Sequence, residues 1–307
     1  MGSLSTSRIL LIGLAVAILA SFLPLGVSGY ILGLLTLAYY FGVFAMAWDL
    51  LFGFAGEVNF GPTFLIGTGA YTAGILDNLY QPPIWICLAA GALAAVAGGV
   101  VLALPALRVR GPYFGLTTLV AVLMLQNFIV VDASLTGGEI VTVPDVISIS
   151  DATNYQIALW FMAISGAVLF ALSRSPVGLI LQASGQDAVQ AGALGFNVTK
   201  HKLTAFIISA FFSGLAGALL IFYLGSASVG TLVDITVGAQ IIIAAVVGGR
   251  RTILGAVLGA VFLIAMSEAL RPLGDLSNFV VFAMALIVVL VFPSGFFGLL
   301  TRTTETS

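Results

Sequence analysis

Apolar stretches long enough to cross a bilayer recur along the whole chain, separated by short polar punctuation. The runs are continuous and do not alternate residue by residue, so they read as helices and not as strands of a closed barrel. Ten crossings are expected, over residues 9–27, 30–50, 60–76, 84–104, 112–132, 156–172, 203–224, 235–249, 252–270 and 278–296. The fold class is therefore all-α, a polytopic helical membrane protein forming a single transmembrane domain over residues 1–307. The first run follows Arg8, is long for a signal peptide and leads directly into the second, so it is read as an uncleaved helix.

Three places break the pattern. Residues Gly53–Thr63 (GFAGEVNFGPT) interrupt an apolar stretch with three glycines, Glu57, Asn59 and Pro62. Pro62 suits the first turn of the helix that follows, and Asn59 is the expected cap. The crossing at 235–249 is short and ends in Gly248-Gly249-Arg250-Arg251. Broken or short segments in a bilayer are tolerated where protein or a watery cavity covers the free backbone groups, and in transporters they often line the solute site. Gly56, Glu57, Asn59 and Gly61 are therefore candidate pathway residues. Glu57 either meets a polar or cationic part of a solute or is solvated at the membrane interface. The third break is the polar stretch 173–202, with Arg174, Lys200 and Lys202. Within it Ser184 is the expected helix cap, Asp187 follows three residues on, and Gly195 is the expected stop. It reads as a force-transmitting helix or as a connector lying on the headgroups.

Charge then orients the spans. With both termini in the cytoplasm, nine of the ten basic residues fall on that side and only Arg271 falls outside. The loop 132–155 is then the main outer segment. Its Thr136-Gly137-Gly138-Glu139 turn and acidic residues make it a candidate docking surface for a soluble partner, or a solvated loop. Small residues every fourth position, Ser209/Ser213/Gly217 and Gly255/Gly259, predict close helix packing, inside the chain or against a second membrane subunit.

Composition changes the picture mainly by exclusion. The chain is 61% hydrophobic and 7% charged, with net charge −2, so neither a soluble enzyme nor a nucleic-acid partner is expected. The lone Cys87 reads as a packing residue, and one histidine, His201, offers no metal cluster. No P-loop, nucleophile–base set or carboxylate pair is present, so no enzyme, cofactor or metal is expected. Ionisable residues at membrane depth are few: Asp49 beside Trp48, read as an interfacial anchor, Glu57 and Glu268. Their scarcity argues against a proton relay.

The segments SPVGLILQASGQDAVQAGALGFNVTKHKLTAFIISAFFSGLAGAL and GFAGEVNFGPTFLIGTGAYTAG resemble the membrane subunits of branched-chain amino-acid ABC importers of the LivM type. Weaker similarities are LRVRGPYFGLTTLV, LTGGEIVTVPD, VVGGRRTILGAVLGA and FPSGFFGLL, in family order over most of the chain. The resemblance implies a permease of the bacterial cell inner membrane, multi-pass in the lipid bilayer. It would translocate a small polar solute, branched-chain or other amino acids above all. It implies two cytoplasmic ATPase subunits that bind the ATP, a second homologous permease subunit and a periplasmic solute-binding protein. Ser184, Asp187, Gln190 and Gly195 would then contact the ATPase through a coupling helix, and Thr136, Gly137, Gly138 and Glu139 would meet the binding protein. The sequence departs from the family at Glu57, where Gln is usual, at His201, where an aromatic is common, and at the weakly charged 181–186 stretch. The alternative reading is a self-sufficient secondary carrier or channel for a small solute (urea, an amide or an organic acid), although the scarcity of buried charge argues mildly against a proton- or sodium-driven carrier.

Overall fold

The computed structural model describes residues 6–107, 113–143, 145–274, 276–291 and 295. Expectations that involve Arg108, Arg110, Pro144, Asp275, Arg302 and, Gly295 apart, the closing 292–300 stretch lie outside the described residues. In chain order the helices are α1 (Thr6–Ala20), α2 (Gly29–Asp49), α3 (Pro62–Tyr80), α4 (Ile84–Ala106), α5 (Tyr113–Val131), α6 (Ala133–Thr136), α7 (Asp151–Ser173), α8 (Pro176–Gln186), α9 (Ala188–Ala193), α10 (Val198–Leu224), α11 (Val229–Leu232), α12 (Ile235–Gly248), α13 (Leu254–Ala269) and α14 (Leu276–Val291). Among the described residues, seven segments are long and apolar enough to cross a membrane: Thr6–Leu25, Gly29–Phe54, Ile84–Ala106, Tyr113–Val131, Asp151–Ser173, Val198–Leu224 and Val229–Gly248. The protein is thus a polytopic helical membrane protein.

The helices gather into two compact units. One comprises Leu50–Ile149 and Ile180–Ala239, the other Met1–Asp49, Ser150–Leu179 and Gln240–Ser307. In the first, α10 packs against α3 and α4. Glycines at the crossings let the backbones touch: a Cβ at Gly217 would collide with the Ile66 carbonyl, and one at Gly69 with the Gly214 carbonyl. Ser209 and Ser213, on the same helix, are buried. The small-residue spacing therefore serves packing within the chain.

That unit also holds a departure from the all-α expectation. β1 (Ile140–Thr142) pairs antiparallel with β2 (Ser226–Ser228), with Val141 opposite Ala227. The β-branched Ile-Val-Thr triplet suits a strand, and pairing satisfies backbone groups that a free loop would leave to water.

In the second unit α2 packs against α7 and α13. Gly259 meets the Ala244 carbonyl, and Gly248 the Gly255 carbonyl, where any side chain would clash. α1 packs on α7, where the Tyr155 hydroxyl donates to Ala20 O at 2.9 Å and Gln156 Nε2 to Ser21 O at 2.6 Å. Its other side chains are largely exposed, among them Leu11, Val16 and Leu19, a surface made for lipid tails and not for water.

Asp49, expected as a solvated interfacial anchor, is instead fully buried. Its Oδ1 accepts the Arg251 N–H and its Oδ2 the Ile253 N–H, each at 3.0 Å. These two bonds hold a turn in which Arg251 (φ 64°) and Ile253 (φ 51°) both occupy the left-handed region. A buried carboxylate is tolerated because backbone donors compensate both oxygens.

Candidate functional site

The break between the second and third spans begins with a change of helical register. Leu50–Phe54 winds as a π-helix, with Ala55 N–H donating to Leu50 O at 3.3 Å. The Glu57 N–H still reaches Leu51 O at 3.1 Å, after which the backbone is non-helical until Pro62 opens α3. Such wide turns cluster at functional sites.

Three elements of the same unit clasp this break. The first is the end of α8. Gly56 is left-handed (φ 73°), and a Cβ there would stand 2.8 Å from Gly185 O and 2.9 Å from Gly185 Cα. Reciprocally, a Cβ at Gly185 would stand 2.6 Å from Phe54 O. Only two glycines permit backbones this close. The second is α10, whose Lys202 Nζ donates to Glu57 Oε1 at 2.6 Å, with the two side chains 14% and 18% exposed. The third is α5: Phe60 N–H donates to Thr118 Oγ1 at 3.0 Å, and the Thr118 hydroxyl donates to Gly115 O. Gly61 packs against the Thr118 carbonyl, where a side chain would clash.

The four sequence-predicted pathway residues Gly56, Glu57, Asn59 and Gly61 are therefore contiguous and held from three sides. Glu57 is ion-paired and partly exposed. Asn59 is almost fully buried (1% exposed), but it does not cap α3 in the expected way. Its Oδ1 accepts the Gly61 N–H at 2.8 Å, two residues on, and the N-cap position is Gly61, which supplies no side chain.

The polar stretch beyond α8 also differs from expectation. Ser184 does not begin a helix. It lies inside α8, buried, with its Oγ unpartnered. The cap is Asp187, whose Oδ1 accepts the N–H groups of Val189 and Gln190, each at 2.9 Å. α8 simply runs on to Gln186, and the charged, short Asp187 side chain is the better acceptor for the first turn of α9. Gly195 ends α9 as expected, at φ 88°, with Gly195 N–H to Gly192 O and Phe196 N–H to Ala191 O. That pair of bonds is the glycine-terminated close of a helix. Gln190 is exposed, as are Val189 (77%) and Leu194 (76%), so α9 presents an apolar knob.

The turn at residues 136–139 is more ordered than a solvated loop. Thr136 is buried, its hydroxyl bonded to Ile129 O at 2.7 Å and Asp132 O at 2.9 Å. Gly137 (φ 80°) and Gly138 (φ 82°) make the left-handed turn. Glu139 exposes its side chain, while its carbonyl accepts the Tyr71 hydroxyl at 2.9 Å and the Val229 N–H at 3.1 Å. Of the four predicted docking residues, Gly137 and Glu139 are at the surface, and Thr136 and Gly138 are internal. Glu268, the remaining ionisable residue singled out, accepts the Tyr30 hydroxyl and pairs with Arg271 at 3.3 Å.

Sequence reasoning missed Gly185, Lys202 and Thr118 as partners of the break. Lys202 carried a signal: it is a basic residue in one singled-out segment and Glu57 an acidic residue in another. Gly185 and Thr118 carried none, because a backbone crossing leaves no chemical mark in the sequence.

The family model described as "Branched-chain amino acid transport system / permease component" matches residues 30–291. The high-affinity branched-chain amino acid transport system permease protein LivM of Salmonella typhimurium is 26% identical over 326 residues, which covers 95% of this chain and 75% of that protein. The corresponding permease protein LivH of Escherichia coli (strain K12) is 26% identical over 289 residues, covering 86% of this chain and 92% of LivH. The ribose import permease protein RbsC of Haemophilus influenzae is 28% identical over 148 residues, 46% of each chain. No solved structure matches the chain.

Proposed function

The chain belongs to the permease component family of branched-chain amino acid transport systems, and from that membership we propose that it is the membrane-spanning subunit of an ATP-driven importer for branched-chain or other amino acids. In this reading it forms a single permease domain of about ten crossings in a bacterial inner membrane, with both ends in the cytoplasm. Two cytoplasmic ATPase subunits bind and hydrolyse the ATP. A second, homologous permease completes the path, and a periplasmic binding protein delivers the solute to the segment around Gly137 and Glu139.

The observation that carries this reading is the crossing of Gly185 and Gly56 beside the Lys202–Glu57 ion pair. It brings the end of α8, which Asp187 alone separates from the exposed apolar knob of α9, against the broken segment. A knob with Val189 and Leu194 outermost suits a cleft in a soluble ATPase. Motion of the knob would reach the break with no flexible element between. The solute alone does not drive the change: a ligand shifts an equilibrium only by its differential affinity for the two states, so ATP and the loaded binding protein supply the bias.

Affinity purification of this chain from its native membrane tests the class. Co-purification of a P-loop ATPase and a second permease in stoichiometric amount is the expected result. Purification alone, with solute flux in vesicles lacking ATP, would identify a carrier or channel instead.

A further inference from the structure

Thr63 is the second residue of α3 and is fully buried (0% exposed). Its Oγ1 has no hydrogen-bond partner. Its backbone N–H belongs to the first turn, where no helical carbonyl is within reach, and among the described residues it too has no partner. The side chain placed to serve this turn, Asn59, uses its oxygen on Gly61. One buried residue therefore presents two unused donors, side by side, at the N-terminus of a 19-residue helix. Buried donors are nearly always satisfied, because an unmade bond carries a desolvation penalty with nothing in return.

The surroundings fit an acceptor that comes and goes. A Cβ at Gly238, in the first turn of α12, would lie 3.6 Å from Thr63 Oγ1 and 3.7 Å from the Pro62 ring. The hydroxyl thus lies beside the first turn of α12, at a residue that carries no side chain to partner it. The positive end of the α3 dipole favours negative charge there. The one acidic side chain in the adjoining break, Glu57, is neutralised by Lys202 and does not oppose an anion. The facing segment carries Asp234, one helical turn before Gly238, whose Oδ1 accepts the Thr236 N–H at 2.7 Å. A second carboxylate close by disfavours a simple anion and suits the ammonium of a zwitterion.

We propose that the Thr63 hydroxyl and N–H at the start of α3 bind the carboxylate of an α-amino acid as it passes the broken segment. This rests on the importer reading above and adds to it a polarity: the carboxylate end of the solute meets α3. Thr63 acts by binding and orienting the solute, and no bond is made or broken.

The test is uptake of L-leucine by the full complex in vesicles, with ATP on the ATPase side and the binding protein supplied. Thr63→Val keeps the shape and removes the hydroxyl. It is expected to lower leucine uptake about 10- to 100-fold, the loss typical of one hydrogen bond to a charged group, while Thr63→Ser stays close to wild type. The thermal midpoint of Thr63→Val should be unchanged or higher, because an unpartnered buried hydroxyl has been replaced by a methyl group. Full-rate leucine uptake by Thr63→Val overturns the subsite and leaves the importer reading intact. ATP-dependent transport by the wild-type complex of ribose but not of leucine overturns both the subsite and the amino-acid assignment, and leaves the permease class standing.

Discussion

The ammonium of Lys202 stands 2.6 Å from the carboxylate of Glu57, bridging 145 residues of sequence between the start of α10 and the break before α3. Both side chains are mostly withdrawn from solvent, so the pair is worth more than an exposed ion pair and is more harmful to half-remove. Lys202→Met leaves Glu57 buried and unpaired and should destabilise the protein by about 1–3 kcal/mol. Lys202→Met combined with Glu57→Gln should recover most of that loss. A double-mutant cycle on thermal unfolding in detergent measures it, and additive effects of the two changes would show that the pair contributes no coupling.

The ends of α9 should separate folding from coupling. Asp187→Ala removes an N-cap that satisfies two N–H groups, a loss of about 1 kcal/mol. Gly195→Ala forces a side chain into φ 88°, a strain of about 1 kcal/mol, although open space surrounds the site. Both variants should insert and fold, yet hydrolyse ATP without matched uptake. Wild-type uptake per ATP in both would remove α9 from the coupling path.

Gly185→Ala should be far more severe than Gly195→Ala. At Gly185 the new methyl meets the Phe54 carbonyl and the backbone at Ala55 and Gly56, none of which can rotate away. Uptake should be abolished, with the yield of folded protein reduced. Equal behaviour of the two alanine variants would contradict the backbone contact between α8 and the break.

Asp49→Asn should lower stability by about 1–3 kcal/mol, because an amide offers one acceptor where two backbone N–H groups need partners, and its NH2 group faces a donor. Thermal unfolding reads this directly. A variant as stable as wild type would mean that the 249–253 turn holds its left-handed residues without the carboxylate.

Tyr71→Phe tests the segment around Glu139. It removes only the hydroxyl that donates to Glu139 O, a change of about 1 kcal/mol. Hydrogen exchange of residues 139–142 should quicken, while exchange in α3 below the site stays slow. Unchanged exchange in the strand would show that pairing with β2 alone holds it.

What the sequence makes legible here is local. The apolar runs mark the helices, the Gly/Pro-rich stretch 53–63 marks the break, and Gly195 marks a helix end, because each is determined by its own neighbours. What it conceals depends on distant partners. Asp49 looks like an interfacial residue because nothing nearby shows that the backbone of Arg251 and Ile253 will meet it. Ser184 and Asp187 are both residue types that cap helices, and the position of the cap depends on where α8 ends. Thr63 carries no mark in the sequence beside Asn59, because its distinction is a lack of partners, visible only once every neighbour has been placed.

The Asp49 bonds also set a timetable. Their donors lie 202 and 204 residues downstream. At roughly 5–20 residues per second of synthesis, the carboxylate waits on the order of 10–40 s before the chain that completes it has been made. Throughout that interval a nascent helix carries an uncompensated acidic group at its end, and it must be kept in contact with water, with lipid headgroups or with the insertion machinery. The second unit, assembled from the first, middle and last thirds of the chain, therefore closes late in biogenesis, and a ribosome stalled before residue 251 leaves it open.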